Sequence, residues 1–418
     1  VIDVAIVGGG PAGLAVAVHA AKRGLSAVVL ERSVNTPDKA CGEGLMPAGV
    51  SALEALGVRS LLGPDDCSSF VGIRYVQEDG ASIDGRFRRG PGLGVRRTAL
   101  VAALADRARS LGATVRAGVA VVALRPVSGG VRVETDGEPL TEPVTARVVV
   151  AADGIASPLR RAAGLEGAAA HGRFGLRQHV RIAPWSPFVE VHWGERIEAY
   201  VTPTGRERVN IVFQWDPKTE IGPSSFAAFL ERFPVLAERV RGAPVDSTPR
   251  GLGPLVRSSS GRVADRLVLI GDAAGFVDGI TGEGLTLAFR CAEALGDLLP
   301  DAIARGAGRA ALSPYERTFR REYRRYSFLT HGLLAIASRP WLRRLAFRGL
   351  ASWPGAFESL LGRVVASAAP GGSQRAFASA SSVASRSSAL TLASRAPAIV
   401  SSFETSLRPS QPAAHAFP

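Results

Sequence analysis

Lysine is almost missing from this 418-residue chain. Lys22, Lys39 and Lys218 are the only three among 50 basic residues, so arginine carries the formal charge of +13. From residue 301 onward there are 16 arginines against Asp301, Glu316, Glu322, Glu358 and Glu404, which places +11 of the +13 in the last part of the chain. The first 300 residues are near neutral, which argues against a chain-wide nucleic-acid surface. The basic part also lacks the regularly interleaved aromatics that base stacking uses, so no nucleic-acid partner is expected. Solvated arginines on helices explain the charge in the plainest way, and contact with anionic lipid is the other reading.

Cysteine is equally scarce. Cys41, Cys67 and Cys291 cannot build a disulfide framework, none stands in a Cys-x-x-Cys, and six scattered histidines show no zinc-type spacing. No metal is expected, and a reducing, cytoplasmic setting is. Long apolar runs are missing too. Val4 to Ala21 carries no Asp, Glu, Lys or Arg and approaches the ~18 residues of a membrane span. It is interrupted by Gly8-Gly9-Gly10-Pro11, and no charged flank or cleavage site accompanies it, so neither a span nor a signal peptide is read there. With 46% hydrophobic and 21% charged residues, the rest is ordinary for a globular chain of two to three domains.

Residues 1–31 read as strand, glycine turn, helix, strand. Val1 to Val7 is a nearly continuous apolar run of the kind a buried parallel strand needs. Helical composition follows over 11–23 and stops at Gly24, and Ser26 to Leu30 is a second apolar run. A loop holding Cys41-Gly42-Glu43-Gly44 leads to a short helix closing at Gly57. Residues 70–87 alternate around a Glu-Asp-Gly turn, as a hairpin does. Thr98 to Ser110 is helical, 114–135 is a pair of strands, and Arg147 to Ala152 returns to a buried strand. From about 175 to 216 polar and apolar residues alternate, which predicts an antiparallel sheet with one wet face. A helix is expected over 224–240, strand–turn–helix over 262–299, and arginine-rich helices over 312–366. Ser, Ala, Pro and Gly dominate 367–418 without periodicity, so that segment is expected to be disordered.

Two motifs carry chemistry. The first is Gly8-x-Gly10-x-x-Gly13 with Pro11 and Ala12, between a strand and a helix. Gly8 permits the tight turn, Gly10 lets backbone approach a pyrophosphate, and Gly13 lets helix and strand pack closely. A bare packing turn would use the same glycines. Here Glu31, followed by Arg32, ends the next strand, where an acid can bind a ribose hydroxyl pair. The second motif is a buried strand delivering Gly271-Asp272, followed by Gly282-Glu283-Gly284-Leu285 at a helix start. Its carboxylate can meet a ligand hydroxyl, and the helix N-terminus favours negative charge. As a plain strand–loop–helix, the same segment would use Asp272 as an N-cap.

With Ala152-Asp153-Gly154 between them, these elements stand in the order found in the FAD-dependent aromatic hydroxylases (group A flavoprotein monooxygenases), whose superfamily includes the geranylgeranyl reductases and flavin-dependent halogenases. The chain resembles that superfamily over roughly residues 1–300, and Arg97 matches its arginine at the start of a helix beside FAD. The resemblance implies an α/β fold, a three-layer FAD-binding Rossmann-like domain with an inserted antiparallel β-sheet substrate domain and a helical C-terminal region. The expected boundaries are 1–174 and 250–311 for the FAD domain, 175–249 for the inserted sheet, 312–366 for the basic helices and 367–418 for the tail.

It further implies FAD held by Gly8, Gly10, Pro11, Ala12, Gly13, Glu31, Arg32, Arg97, Asp153, Gly154, Gly271, Asp272, Gly282, Gly284 and Leu285, with NAD(P)H as electron donor. The activity implied first is hydroxylation of an aromatic or polyketide-like hydrophobic substrate by O₂ through a flavin C4a-hydroperoxide. Cys41-Gly42 and Tyr200-x-x-Pro203 resemble elements of the prenyl reductases, which makes alkene reduction the alternative. A non-catalytic FAD-containing protein at a membrane surface is the third reading. Cys41 and Tyr200 are the catalytic candidates, although a small buried thiol and a core aromatic fit the same positions. No general base is identifiable. His179 and His192 are expected to be hydrogen-bonded core residues. The apolar residues and arginines between Phe328 and Val365 are the part that could touch a membrane.

Overall fold

The structure, a computed structural model, describes residues 1–136, 143–169, 171–219 and 225–352, together with Gly355 and Glu358. The expectation for 367–418 lies outside these residues.

The chain opens with β1 (Ile2–Val7), α1 (Pro11–Lys22) and β2 (Ala27–Glu31). The next elements are β3 (Gly44–Leu45), α2 (Pro47–Leu56), β4 (Cys67–Phe70), β5 (Gly72–Val76), β6 (Ser82–Arg86) and β7 (Gly92–Val95). After α3 (Arg97–Ser110) come β8 (Thr114–Ala117), β9 (Ala120–Val127), β10 (Gly130–Asp136), β11 (Val144–Ala151) and α4 (Pro158–Ala162). A second group holds β12 (Phe174–Val180), β13 (Val189–Gly194), β14 (Ile197–Gly205), β15 (Arg208–Trp215), α5 (Phe226–Glu231) and α6 (Pro234–Arg239). The chain returns through β16 (Arg250–Leu252), β17 (Val263–Ala264) and β18 (Leu267–Leu269) to α7 (Gly284–Ala304), α8 (Arg309–Ala337) and α9 (Pro340–Ser352).

The first sheet has the order β17-β18-β11-β1-β2-β8, and its parallel pairs are β1 with β2, β1 with β11, β2 with β8 and β11 with β18. Ile6, Val29, Val149 and Val268 are fully buried, as strands covered by helices require. The chain builds outward from β1 in one direction through β2 and β8, then in the other through β11 and β18. In such sheets ligands settle beyond the carboxyl ends of the strands, where the order reverses. Leu312, Tyr315 and Phe319 of α8 belong to the same core. The boundary expected at 311/312 therefore falls inside a helix packed on the FAD-type sheet.

The second sheet runs β16-β12-β15-β14-β13-β5-β6. It thus draws residues 72–86 from the expected first domain, and β5 pairs with β13 in parallel. Alternation in 70–87 predicts a half-buried hairpin but not which sheet edge receives it. The expectation of one wet face also needs correcting. Every residue of β14 is buried. One face packs Ala199, Val201, Ile211 and Phe213 against Phe229, Phe233 and Leu236 of α5 and α6. The other carries Tyr75, Val191, Tyr200 and Val212. The polar residues that suggested solvent are instead paired inside. The helix expected over 224–240 is split at Phe233-Pro234, because proline has no N–H to continue the ladder.

Candidate active site

The segments that follow β1, β11 and β18 line one cleft, together with the inner face of the second sheet. At the end of β1 the three glycines divide their work. Gly8 has φ +109°, and a Cβ there would lie 2.3 Å from the Ala152 carbonyl oxygen. A Cβ on Gly13 would lie 2.2 Å from the Gly8 carbonyl oxygen, so this glycine sets the approach of α1 to β1. Gly10 differs, since the nearest heavy atom to its Cβ position is Arg97 Nη2 at 3.9 Å. Its free side faces the cleft beside the start of α1, where Pro11 occupies the first helical position. Glu31 reaches back across the turn, with Oε2 accepting the Gly9 N–H at 2.7 Å and Oε1 the Ser33 N–H at 2.9 Å.

At the end of β11, Gly154 lines the cleft, but the Asp153 side chain turns toward α4. Its Oδ2 accepts the Leu159 N–H at 3.2 Å, while Oδ1 is buried without a protein partner, and burial pushes the carboxyl up. Arg160, fully buried, joins this loop to the next. Its guanidinium donates to the carbonyls of Ile155 and Ala273, both at 3.0 Å. Asp272 opens onto the cleft yet is ringed by protein. Burial pushes its carboxyl up, against the pull of Arg97 and Lys39. Burial lowers the Lys39 ammonium, with Arg97 adding to the effect.

The start of α7 closes the cleft. Its first intrahelical bond is Leu287 N–H to the Glu283 carbonyl, so the N–H groups of Gly284, Leu285 and Thr286 have no intrahelical acceptor. Burial pushes the Glu283 carboxyl up to about 7, so near neutral pH it carries only part of its charge at this helix end.

The same cavity, of about 210 Å³ in all, continues against Ile73, Val189, Val191, Tyr200 and Val212. Tyr200 donates its hydroxyl to Glu198, which pairs with Arg173 at 2.9 Å. Burial first, and Glu198 next, hold the phenol well above its usual range, so it stays protonated. Arg173 also grips Asp278 through two bonds of 2.6 and 3.0 Å. Leu333, Leu334 and Ala337 of α8, with Phe347 and Leu350 of α9, roof this face of the sheet by packing into the cluster of Tyr75, Trp193 and Ile280, of which Tyr75 and Ile280 line the cavity. Tyr326 fastens the roof by donating to the Asp278 carbonyl at 2.6 Å, and Arg343 lies over the Trp193 ring at 5.2 Å.

The Cys41 loop is held from below. Glu43, at φ +58° and buried, accepts from the Arg97 backbone N–H at 2.8 Å, Arg96 Nη1 at 3.1 Å and His179 Nε2 at 2.7 Å. A ring nitrogen facing a carboxylate must carry the proton. His179 Nδ1 is then the acceptor for Ser247 Oγ and Arg177 Nη1, both at 2.9 Å. Burial lowers the imidazole, which agrees with this neutral tautomer. Arg177 and Arg96 share Asp38, and Asn210 donates to the Cys41 carbonyl at 2.8 Å. His192, paired with Glu190 at 3.1 Å, is the other hydrogen-bonded core histidine expected from the sequence.

These features form a pyrophosphate-type turn with an open glycine, a second carboxylate loop and a vacant helix start, all on one cleft. The family model described as "FAD binding domain" matches residues 1–325. Digeranylgeranylglycerophospholipid reductase 2 of Methanothermobacter thermautotrophicus is 31% identical over 351 residues, covering 77% of this chain and 83% of its own. The chain belongs to the FAD-dependent aromatic hydroxylase and geranylgeranyl reductase superfamily. It is an FAD-binding oxidoreductase. Solved structures share the fold: a flavoprotein/dehydrogenase from Cytophaga hutchinsonii has a TM-score of 0.75 at 20% identity, covering 87% of this chain and 92% of its own. The halogenase PltM in complex with phloroglucinol and FAD has a TM-score of 0.68 at 20% identity, covering 86% of each chain.

Of the residues singled out from the sequence of this flavoenzyme, Gly10, Pro11, Ala12, Arg97, Gly154, Gly271, Asp272, Gly282, Gly284 and Leu285 line the cleft, as do Cys41 and Tyr200. Gly8, Gly13, Glu31 and Asp153 shape its walls from behind, and Arg32 is exposed outside it. Sequence reasoning assigns no role to Lys39, Glu43 or Arg160. Arg160 closes the Ala-Ala-Asp-Gly-Ile-Ala-Ser-Pro-Leu-Arg run, and nothing in its spacing signals that it reaches the Gly271 turn.

Proposed function

We propose that this flavoenzyme saturates carbon–carbon double bonds in a long isoprenoid or similarly apolar chain, with NAD(P)H as electron donor. The observation that carries the reading is the meeting of Cys41 and Tyr200 in one cavity whose sheet side presents Ile73, Val189, Val191, Val212 and Leu252. The identity to a digeranylgeranylglycerophospholipid reductase supports it. Gly10 and the start of α1 would take the FAD pyrophosphate, Arg97, Lys39 and Asp272 its polar middle, and Gly282 to Leu285 the pyrimidine edge of the flavin. FAD held there and reduced by NAD(P)H would supply hydride-transfer chemistry at one alkene carbon. The chain supplies the rest. Val189, Val191 and Val212 align the apolar substrate and, with the α8–α9 roof, exclude water. Cys41 Sγ already accepts from the Glu43 N–H at 3.4 Å, which leaves its S–H to protonate the second carbon. Solvent protons at the loop restore the thiol.

Aromatic hydroxylation, the activity the sequence resemblance implies first, is the second reading. The rings of Tyr75, Tyr200 and Phe276 on the cavity wall favour it, since they can stack on a flat substrate. The test is anaerobic incubation of the FAD-loaded enzyme with NADH or NADPH and a geranylgeranyl lipid in deuterium oxide. Saturation with one solvent deuterium fixed per double bond supports reduction. No turnover without O₂, with a phenolic substrate gaining one oxygen in air, overturns it.

A further inference from the structure

The roof helices have a second face. On α8, Tyr326 and Thr330 point inward, and Phe328, on the opposite side of the helix, is 79% exposed. On α9, Arg343 and Phe347 point inward, while Trp341 and Leu345 on the opposite side are 63% and 60% exposed. Single exposed apolar side chains are ordinary, but here three large ones fall on two consecutive helices joined at Ser338–Pro340. Arg324, Arg339 and Arg344 stand exposed beside them. The only acids on these two helices, Glu316 and Glu322, are already engaged by Arg262, Arg290, Arg320 and Arg321. The outward face is therefore basic around protruding rings.

We propose that the outward face of α8 and α9 docks on an anionic phospholipid bilayer, with Phe328, Trp341 and Leu345 inserted at the headgroup level and the arginines on the lipid phosphates. Charge complementarity selects this occupant. A nucleic acid would be served by the arginines but not by Leu345, whereas a bilayer interface uses both. Among the described residues no helix is long and apolar enough to cross a membrane, so the contact is made at the surface. The inference deepens the proposed function, because the opposite faces of the same helices pack on Tyr75 and Ile280, which line the substrate cavity. A bilayer held there would deliver an isoprenoid lipid to the roof without exposing its chain to water.

The test is co-sedimentation of the full-length, FAD-loaded chain with phosphatidylcholine vesicles with and without phosphatidylglycerol. It is read beside heparin retention at about 0.05 M and about 0.5 M salt. The expected result is binding to the anionic vesicles that weakens steeply with salt and drops roughly tenfold or more in the Phe328→Ser/Trp341→Ser/Leu345→Ser variant. That variant changes only exposed side chains, so its flavin content and thermal midpoint should equal those of the parent. Three results overturn the proposal: no binding to either vesicle, binding unchanged by the triple substitution, or binding that appears only after removal of residues 367–418. The last would show that the chain's own tail covers this face. None of these outcomes depends on turnover, so failure here leaves the alkene-reduction reading to its own test.

Discussion

His179 Nε2 and Glu43 Oε2 lie 2.7 Å apart with both side chains wholly out of solvent, and this contact ties the Cys41 loop to the second sheet. Glu43 also caps the first turn of α3 through the Arg97 N–H and pairs with Arg96. One carboxylate therefore sets the relation between α3, the cysteine loop and the second sheet. Burial opposes its charge, but His179, Arg96 and the Arg97 N–H outweigh that and hold the carboxyl below its usual range. Replacing Glu43 by Gln removes the charge that Arg96 and the Arg97 N–H face. Breaking a buried pair of this kind costs roughly 3–5 kcal/mol. Denaturant unfolding of the FAD-loaded protein should show that loss. An effect below about 1 kcal/mol would mean that the network relaxes around an amide.

The pH dependence follows with a definite sign. His19, buried under α7, is lowered to about 4 by burial, then by Arg23 and Lys22. A depressed histidine is neutral in the folded state at pH 7, and the unfolded chain binds the extra proton as pH falls below about 6.5. Its contribution is therefore complete above that pH and lost progressively toward pH 4, to the extent of roughly 3 kcal/mol. His179, lowered by burial, acts in the same direction. Between pH 7 and pH 5 the His19 contribution should fall while that of Glu283, whose carboxyl burial raises to about 7, should rise. The parent should therefore lose stability relative to His19→Gln as pH falls. A parallel slope in the variant would remove His19 as its source.

Gly10 and Gly13 separate binding from folding. Gly13→Ala drives a methyl into the Gly8 carbonyl at 2.2 Å, so α1 must move off β1, at a cost of about 3 kcal/mol or more. Gly10→Ala meets nothing nearer than 3.9 Å. Without FAD its thermal midpoint should match the parent's within a few degrees, while its FAD affinity falls at least tenfold, because the methyl stands where the pyrophosphate would lie. Fluorescence titration with FAD and calorimetry of the apoprotein check both halves.

Much of this was legible in the residues because local chemistry and fold agree there. The Gly8–Gly13 turn, the apolar run into it and Glu31 at the end of β2 each require a parallel strand beside a helix, and the Gly271–Leu285 segment repeats the logic. What was not legible depends on partners far apart in the chain. Period-two alternation in 72–86 is satisfied on either sheet, so only the free edge of β13 decides that β5 pairs there. Alternation in 197–215 likewise reads as a wet face, whereas Glu198, Asn210 and Gln214 are buried among partners such as Arg173 and the Cys41 carbonyl. Glu43 stood inside a recognised motif, but its role rests on Arg96, Arg97 and His179, which no spacing rule connects.

Arg160 offers the sharpest test of how the two cofactor loops are joined. Its two terminal nitrogens hold the Ile155 and Ala273 carbonyls, and its stem is packed away from water. Burial lowers the guanidinium, yet no change of pH in the working range can discharge it. Arg160→Lys keeps the charge but replaces a planar fork by one ammonium that cannot span both carbonyls, leaving one of them unpaired at about 1–3 kcal/mol. Because the Gly271–Ala273 turn carries Asp272, that loss should appear in cofactor affinity as well as in stability. Arg160→Leu should be worse on both counts, since it leaves both carbonyls bare. If Arg160→Lys binds FAD as tightly as the parent while its unfolding free energy falls, Arg160 supports only the fold around α4. A joint fall, graded from lysine to leucine, would show that the two loops reach the cofactor as one unit.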